Sequence, residues 1–353
     1  MNASKVTEFT FLGLPHSWPV QLFLFVFVLA CYTVALLGNL LIVMIVHADP
    51  RLLQSPMYFL LTNLSIIDAG LSNVAVPMML ADLLSCGRTI SFGGCMAQLF
   101  FLHFFGGSEM LVLTLMAYDR YVAICQPLSY STTMNRLHCI KLLASCWIGG
   151  LVHSATQLVL ILRLPFCGPN ELDNFFCDVQ QVAKLACTNT YITEILVVAS
   201  SGLLSLFSFV ILLISYGVIL VTLRGHFNES GRKALSTCSS HLTVVSLIFV
   251  PCLFVYLVPF SSSSVDKIAS AFYTVVTPAL NPIVYTLRNK EMKDTMGRIF
   301  GRIVMVSVAA VGVQVVNHSI FISLEAGHTP VRVLLDDIKK IILMGQVMVS
   351  SLD

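Results

Sequence analysis

Seven stretches of this chain run almost free of charge for the length that a helix needs to cross a lipid bilayer. They cover about 23–46, 57–84, 96–120, 140–162, 193–223, 236–258 and 267–287. A hydrocarbon layer ~30 Å thick takes ~20 residues at ~1.5 Å each. Each stretch therefore predicts one spanning helix, and together they predict an all-α membrane protein, a seven-transmembrane-helix bundle within residues 1–302. Beyond the last stretch, Met292, Met296, Ile299, Phe300 and Ile303 recur at helical spacing with basic residues between them. That pattern predicts a short amphipathic eighth helix over about 289–302, lying on the membrane face. Residues 303–353 form an atypical C-terminal extension, apolar over 303–316 apart from Ser307 and Gln314 but too interrupted to predict another span.

Composition agrees with the pattern. Apolar residues make up 57% of the chain and charged residues 11%, with a mean hydropathy of +0.87; a soluble globule of that composition would precipitate. The net charge of +2, with no basic cluster interleaved with aromatics, argues against nucleic acid as a partner. Lys and Arg set the orientation. If odd-numbered helices run inward, twelve basic residues from Arg51 to Arg302 lie inside, against Lys5, Arg88, Arg163, Lys184 and Lys267 outside. The positive-inside rule then predicts an extracellular N-terminus and a cytoplasmic C-terminus. No basic segment followed by a short apolar run and cleavage site opens the chain, so the first helix is expected to act as its own insertion signal.

Cysteines follow the same sidedness. Cys86, Cys95, Cys167, Cys177 and Cys187 fall on the outer, oxidising side. The segment 162–190 is long for an inter-helix loop and holds three of them, which predicts a stapled lid. Spacing alone leaves three connectivities open for four bridged cysteines, with a fifth left over.

Candidate chemistry lies at three depths. Asp119, Arg120 and Tyr121 stand where the third stretch meets the inner face, and an acid, a fixed cation and a phenol there can lock a bundle until a ligand releases it. Glu109 lies ~16 Å further out along that helix and Asp68 ~18 Å beyond Pro56 on the second, so both carboxyls reach mid-membrane. Ionisable groups at that depth are costly and face the bundle interior. With Asn39 and Asn281 they are read as a hydrated polar core able to hold a sodium ion or a proton. The run Pro278-Ala-Leu-Asn281-Pro282-Ile-Val-Tyr285 predicts a kink in the seventh helix. Asn281 is expected to satisfy the freed carbonyls, and Tyr285 to swing toward the centre near Tyr216. On the outer half of the third helix, His103, Gly106, Gly107 and Met110 share one face, where the glycines are expected to leave a void.

The ordered blocks Thr7–Leu14 (TEFTFLGL), Ser55–Leu61 (SPMYFLL), Met116–Cys125 (MAYDRYVAIC), Lys233–Thr243 (KALSTCSSHLT) and Pro278–Asn289 (PALNPIVYTLRN) together resemble the vertebrate olfactory (odorant) receptors, in their tetrapod-type branch. These are rhodopsin-like G-protein-coupled receptors, and the likeness covers roughly Thr7 to Arg302. The resemblance implies a plasma-membrane receptor, not an enzyme, that binds a small volatile odorant among membrane lipids and raises cAMP through a stimulatory heterotrimeric G protein. It implies bridges Cys95–Cys177 and Cys167–Cys187, with Cys86 free. It places coupling at Arg120, Lys233 and His241, and adds Ser200, Ser201, Ser205, Phe249, Cys252, Tyr256, Ala271 and Thr274 to the pocket. Asn2 begins a glycosylation sequon on the outer tail. The chain departs from the family at Gln54, where His is usual, and at Ile248-Phe249-Val250, where Phe-Tyr-Gly is usual; Phe249 is therefore expected to act by packing.

Two other functional classes share some of these features. An ion-coupled transporter could use the mid-membrane carboxyls, but no inverted repeat is evident. An intramembrane aspartyl protease could use Asp68 and another acid as a dyad, but Tyr118-Asp119 sits at the interface rather than mid-membrane, and no Gly-x-Gly-Asp partner appears. No metal-ligand spacing and no cofactor motif is found.

Overall fold

The computed structural model describes residues 6–12, 18–84, 89–167, 170–224, 238, 242–250, 252, 263–289 and 291–299. Residues 1–289 form one compact unit and 290–353 a second. In chain order the first unit has β1 (Glu8–Phe11), α1 (Trp18–Ala48), α2 (Pro50–Leu53), α3 (Pro56–Leu84), β2 (Thr89–Ser91) and α4 (Phe92–Cys125). A 3-10 turn (Pro127–Ser129), α5 (Tyr130–Thr133), α6 (Arg136–Leu162), β3 (Glu171–Leu172), α7 (Val179–Ala183) and α8 (Tyr191–Arg224) follow. Helix α9 (242–250) precedes α10 (Ser263–Ala271), a π-helical turn (Phe272–Val276) and α11 (Thr277–Arg288). In the second unit α12 covers 291–299, with Met292 and Thr295 buried and Met296 and Ile299 half-buried, one face at helical spacing.

Among the described residues six helices are long and apolar enough to cross a membrane: Trp18–Ala48, Pro56–Leu84, Phe92–Cys125, Arg136–Leu162, Tyr191–Leu223 and Lys267–Thr286. Helix α9 holds the described part of the predicted sixth span, whose remaining residues, Tyr256 among them, lie outside the described residues. Also outside are Asn2, Cys86, Lys233, His241 and the extension 303–353.

Helices overrun the apolar stretches because hydropathy reports the hydrocarbon, whereas caps set the ends. Ser91 accepts from the Gly94 amide at 3.1 Å and starts α4 at Phe92 rather than 96. Asn135 accepts from the His138 amide at 2.9 Å and starts α6 at Arg136 rather than 140. The seventh span, expected over 267–287, runs as one helix over Lys267–Thr286 with the π turn set inside it. Pro278 has no amide proton for the carbonyl four residues back, and the Thr277 hydroxyl donates to the Phe272 carbonyl at 3.4 Å beside that turn.

Lipid-facing and core-facing residues separate cleanly. Leu22, Phe23, Val26, Leu37 and Leu40 on α1 are exposed, as are Leu203, Phe207 and Ile214 on α8, while Leu99, Val112, Leu113 and Ala117 on α4 are buried. Large apolar side chains at no cost on the outside are what a bilayer solvent permits. Helix α1 packs against α11 at Gly38, where a Cβ would lie 2.7 Å from the Pro282 ring. Gly38→Val is therefore expected to destabilise the bundle by about 1–3 kcal/mol through overpacking. A melting temperature in detergent equal to that of the parent would contradict this close approach.

The end of the bundle near Cys95 is closed by a sheet not expected from the sequence. Strand β1 pairs antiparallel with β2 (Phe9↔Ile90) and parallel with β3 (Phe11↔Leu172). Phe9 and Phe11 are fully buried with Leu99, Ile161, Leu172 and Val179, and the rings of Phe9, Phe92 and Phe166 meet edge to face or tilted. Cys95 is bonded to Cys177 and Cys167 to Cys187, with Cα separations of 5.5 and 5.8 Å. Gln98 stitches this lid to α3 by donating to the Val74 carbonyl and accepting from the Cys177 amide, each at 2.9 Å. Asp173 and Lys267 form an ion pair from lid to α10.

Candidate functional site

Beneath the lid lies a cavity of about 110 Å³. Of the residues expected there, it brings together His103, Gly106, Gly107, Met110, Ser201, Ser205, Cys252 and Thr274. Three others do not line it. Ser200 turns aside, accepting from Gln157 Nε2 at 2.9 Å and donating to the Val197 carbonyl at 3.1 Å. Phe249 is buried with its ring stacked 5.9 Å from Phe209, as packing would have it. Ala271 packs against the cluster of Val28, Leu71 and Val275.

The glycines make room for neighbours rather than leaving a void. A Cβ at Gly106 would sit 2.7 Å from the Tyr273 hydroxyl, and one at Gly107 would sit 3.1 Å from the His153 ring. His153, Asp178 and Tyr273 all line the cavity and were not anticipated. An imidazole inside a predicted span is the signal that could have found His153; Asp178 is placed only by the bridge at Cys177.

His103 bonds through Nδ1 to the Leu99 carbonyl at 2.9 Å, and its ring centroid lies 5.7 Å from that of His153. Asp178 caps α7, its Oδ2 accepting from the Gln180 and Gln181 amides at 3.2 and 3.4 Å. Burial pushes the Asp178 carboxyl above its usual range, opposed by His103, the two cap amides and Lys184. Among the described residues no group of three or more His, Cys, Asp or Glu is arranged to hold a metal ion.

Below the cavity the polar core is built across four helices. Asp68 and Glu109 are fully buried. Asn281 Nδ2 donates to Asp68 Oδ2 at 2.9 Å and the Tyr273 hydroxyl to Glu109 Oε2 at 3.0 Å. The other oxygens, Asp68 Oδ1, Glu109 Oε1, Asn39 Oδ1 and Asn281 Oδ1, are buried without a hydrogen-bond partner among the described residues. The kink is satisfied differently from expectation. Pro282 cannot bond the Pro278 carbonyl one turn back, and it is Asn39 on α1, not Asn281, that donates to that carbonyl, at 3.1 Å.

At the far end of α4, Asp119 is buried and pairs with Arg120, whose Nε donates to Asp119 Oδ2 at 3.0 Å. The second carboxylate oxygen accepts from the Tyr130 hydroxyl of α5 at 2.8 Å. Tyr130 escaped the sequence reading because nothing local ties it to Asp119. Burial, then the Asp119 charge, raises its phenol above the usual range, so it stays a donor. Tyr121 accepts from Gln126 Nε2 at 3.4 Å. Tyr216 and Tyr285 are both buried, and the Tyr285 hydroxyl has no hydrogen-bond partner among the described residues.

Comparison with known proteins converges on one family. The sequence model described as olfactory receptor matches residues 27–302. The chain is 62% identical to human olfactory receptor 4Q3 over 296 residues, 84% of this chain and 95% of that one. It is 54% identical to human olfactory receptor 4K14 over 301 residues, 85% and 97% of the two chains. With mouse olfactory receptor 4E2 it shares 55% identity over 296 residues, 84% and 96%.

Proposed function

From the premise that this chain belongs to the olfactory receptor family of seven-transmembrane receptors, we propose that it binds a small volatile odorant in the cavity beneath its lid and activates a stimulatory heterotrimeric G protein to raise cAMP. It is a multi-pass plasma-membrane protein with odorant-receptor relatives, and the family does not favour the ion-coupled transporter. In this reading the N-terminus is extracellular, so the cavity opens outward and Arg120 lies at the cytoplasmic face.

One observation carries the reading. Helix α4 runs unbroken from Phe92 to Cys125 and bears the cavity wall at His103, the acid at Glu109 and the lock at Asp119–Arg120. His103 and Arg120 are ~26 Å apart along it, so a ligand that shifts this helix acts on both ends. Seven-helix bundles transmit such shifts because packed interfaces have discrete arrangements. The coupling surface is assigned to Arg120, the α5 segment and the residues around Lys233 and His241. A panel of volatiles tested for cAMP in cells carrying the full chain, against Arg120→Ala, decides the matter.

The polar core belongs to the same relay. Two carboxyls buried inside a bilayer do not both remain ionised without a counter-charge, and a shared proton or a sodium ion supplies one. The oxygens of Asp68, Glu109, Asn39 and Asn281 that lack partners form a hard-donor set suited to either. A bound cation would neutralise the pair and draw α1, α3, α4 and α11 together. Glu109→Gln and Asp68→Asn are each expected to weaken odorant-evoked cAMP by about tenfold, the middle of the usual coupling range, with surface expression retained. Unchanged dose–response curves in both variants would remove the core from the relay.

A further inference from the structure

Tyr273 belongs to the cavity and to the polar core at once. It lines the cavity and packs against the cluster of Leu71, Leu102 and Phe176, which line it too, while its hydroxyl donates to Glu109 Oε2 at 3.0 Å. That hydroxyl sits in a notch on α4. A Cβ at Gly106 would come within 2.7 Å of its oxygen and 3.8 Å of the ring carbon that bears it. Gly106 and Glu109 stand three residues apart on one face of α4, so notch and acceptor form a single seat for a phenol arriving from the seventh span. The residue that fills the seat stands in the π turn Phe272–Val276, closed by a bond from the Thr277 amide to the Phe272 carbonyl five residues back. Such a turn holds one residue more than an α-helical turn and marks many functional sites.

We propose that Tyr273 couples the two sites: through it a ligand in the cavity alters the charge state of Glu109, and the charge state of Glu109 alters the affinity for that ligand. The inference rests on the reading of the cavity as the odorant site. A phenol bonded to a carboxylate is held about twice as strongly as one bonded to a neutral acceptor, so the position of Tyr273 is tied to the ionisation of Glu109. A proton or a cation on Glu109 weakens the hold and lets the phenol leave its seat, which reshapes the cavity wall. In the other direction, a ligand that pushes Tyr273 off α4 takes a donor from the carboxylate, whose Oε1 already lacks a partner among the described residues. The carboxylate then binds a proton or a cation more tightly. Thermodynamic linkage makes the two effects equal in size. Tyr273 is on this account a positioning residue, acting on the cavity through Glu109 and on Glu109 through the cavity.

The test reads affinity without a G protein, from the concentration dependence of thermal stabilisation of the purified full-length receptor in lipid nanodiscs. The probe is whichever volatile stabilises the parent most in a panel of short-chain and aromatic alcohols, aldehydes, ketones and esters. Glu109→Gln, a permanently neutral stand-in of the same shape, is expected to change the affinity of the parent by about fivefold or more. In the Tyr273→Phe background, where the ring stays and the hydroxyl is gone, the same substitution should change it by less than about twofold. An effect of Glu109→Gln that survives there in full, or that is absent from the parent, overturns the inference. A second pair needs no ligand. Gly106→Ala drives a methyl group into the seated hydroxyl and should lower the melting temperature by roughly 2–4 °C, and Tyr273→Phe added to it should restore most of the loss. No restoration overturns the seat on α4 and the coupling with it. A receptor that no volatile stabilises removes the odorant-site reading and this inference together, whereas one that binds and evokes no cAMP leaves the inference standing and removes the signalling reading instead.

Discussion

Arg120→Ala is expected to lower odorant-evoked cAMP by about 100-fold or to background, a shift of ~2.7 kcal/mol, while ligand binding in the cavity persists. Arg120 is held by Asp119, and Asp119 by Tyr130 at 2.8 Å, so the guanidinium is kept from any partner that would enter at this end of the bundle. Two charge-assisted contacts on one buried carboxylate make the closed arrangement stable, each contributing about 1.5–3 kcal/mol. Removing the cation abolishes the group a G protein would engage; removing the latch has the opposite sign. Tyr130→Phe deletes one bond to Asp119 and should raise ligand-free cAMP severalfold, toward the roughly tenfold that one such bond can shift a two-state equilibrium. A parent-like response in Arg120→Ala would move coupling elsewhere. Basal cAMP unchanged in Tyr130→Phe would leave Tyr130 as packing.

The second large effect is expected at the lid. Cys95 and Cys177 are 82 residues apart and Cys167 and Cys187 are 20 apart, and the chain-entropy model assigns about 4–5 and about 3 kcal/mol to loops of those sizes. Cys177→Ser should therefore reduce surface receptor and stability more than Cys187→Ser does. It should also abolish ligand binding in the molecules that reach the surface, because Cys177 fixes Asp178 and Phe176 over the cavity and its amide is bonded to Gln98. Since the two cysteines act as one unit, Cys95→Ser added to Cys177→Ser should cost little more. Surface labelling and detergent melting curves measure both; full additivity, or equal losses from the two bridges, would contradict the assignment.

Some of this was legible along the chain because it is additive and local. Spans follow from apolar length and the mid-membrane depth of Asp68 and Glu109 from residue counting, so the acid pair could be matched across two helices. The pocket face of α4 followed from spacing at His103, Gly106, Gly107 and Met110. What was not legible depends on a partner distant in sequence. The segment around Phe9 is a strand only because 89–91 and 171–172 offer edges to it. Tyr130 reaches Asp119 through the fold of a short loop helix, and His153 reaches the cavity because Gly107 lets its ring approach. The Pro278 carbonyl had a plausible satisfier in Asn281, yet Asn39 lies closer once α1 packs on α11.

By itself, then, the sequence determined a helical membrane bundle, its depth markers and the family pattern, because transfer of apolar length into lipid and the placement of charges sum residue by residue. The tertiary structure decided which hydrogen-bonding atom each polar side chain has left to offer. Rotation and packing of the helices commit His103 Nδ1, the Thr274 proton and both carboxylate oxygens of Asp119 to particular partners, and only the uncommitted atoms remain to meet anything else.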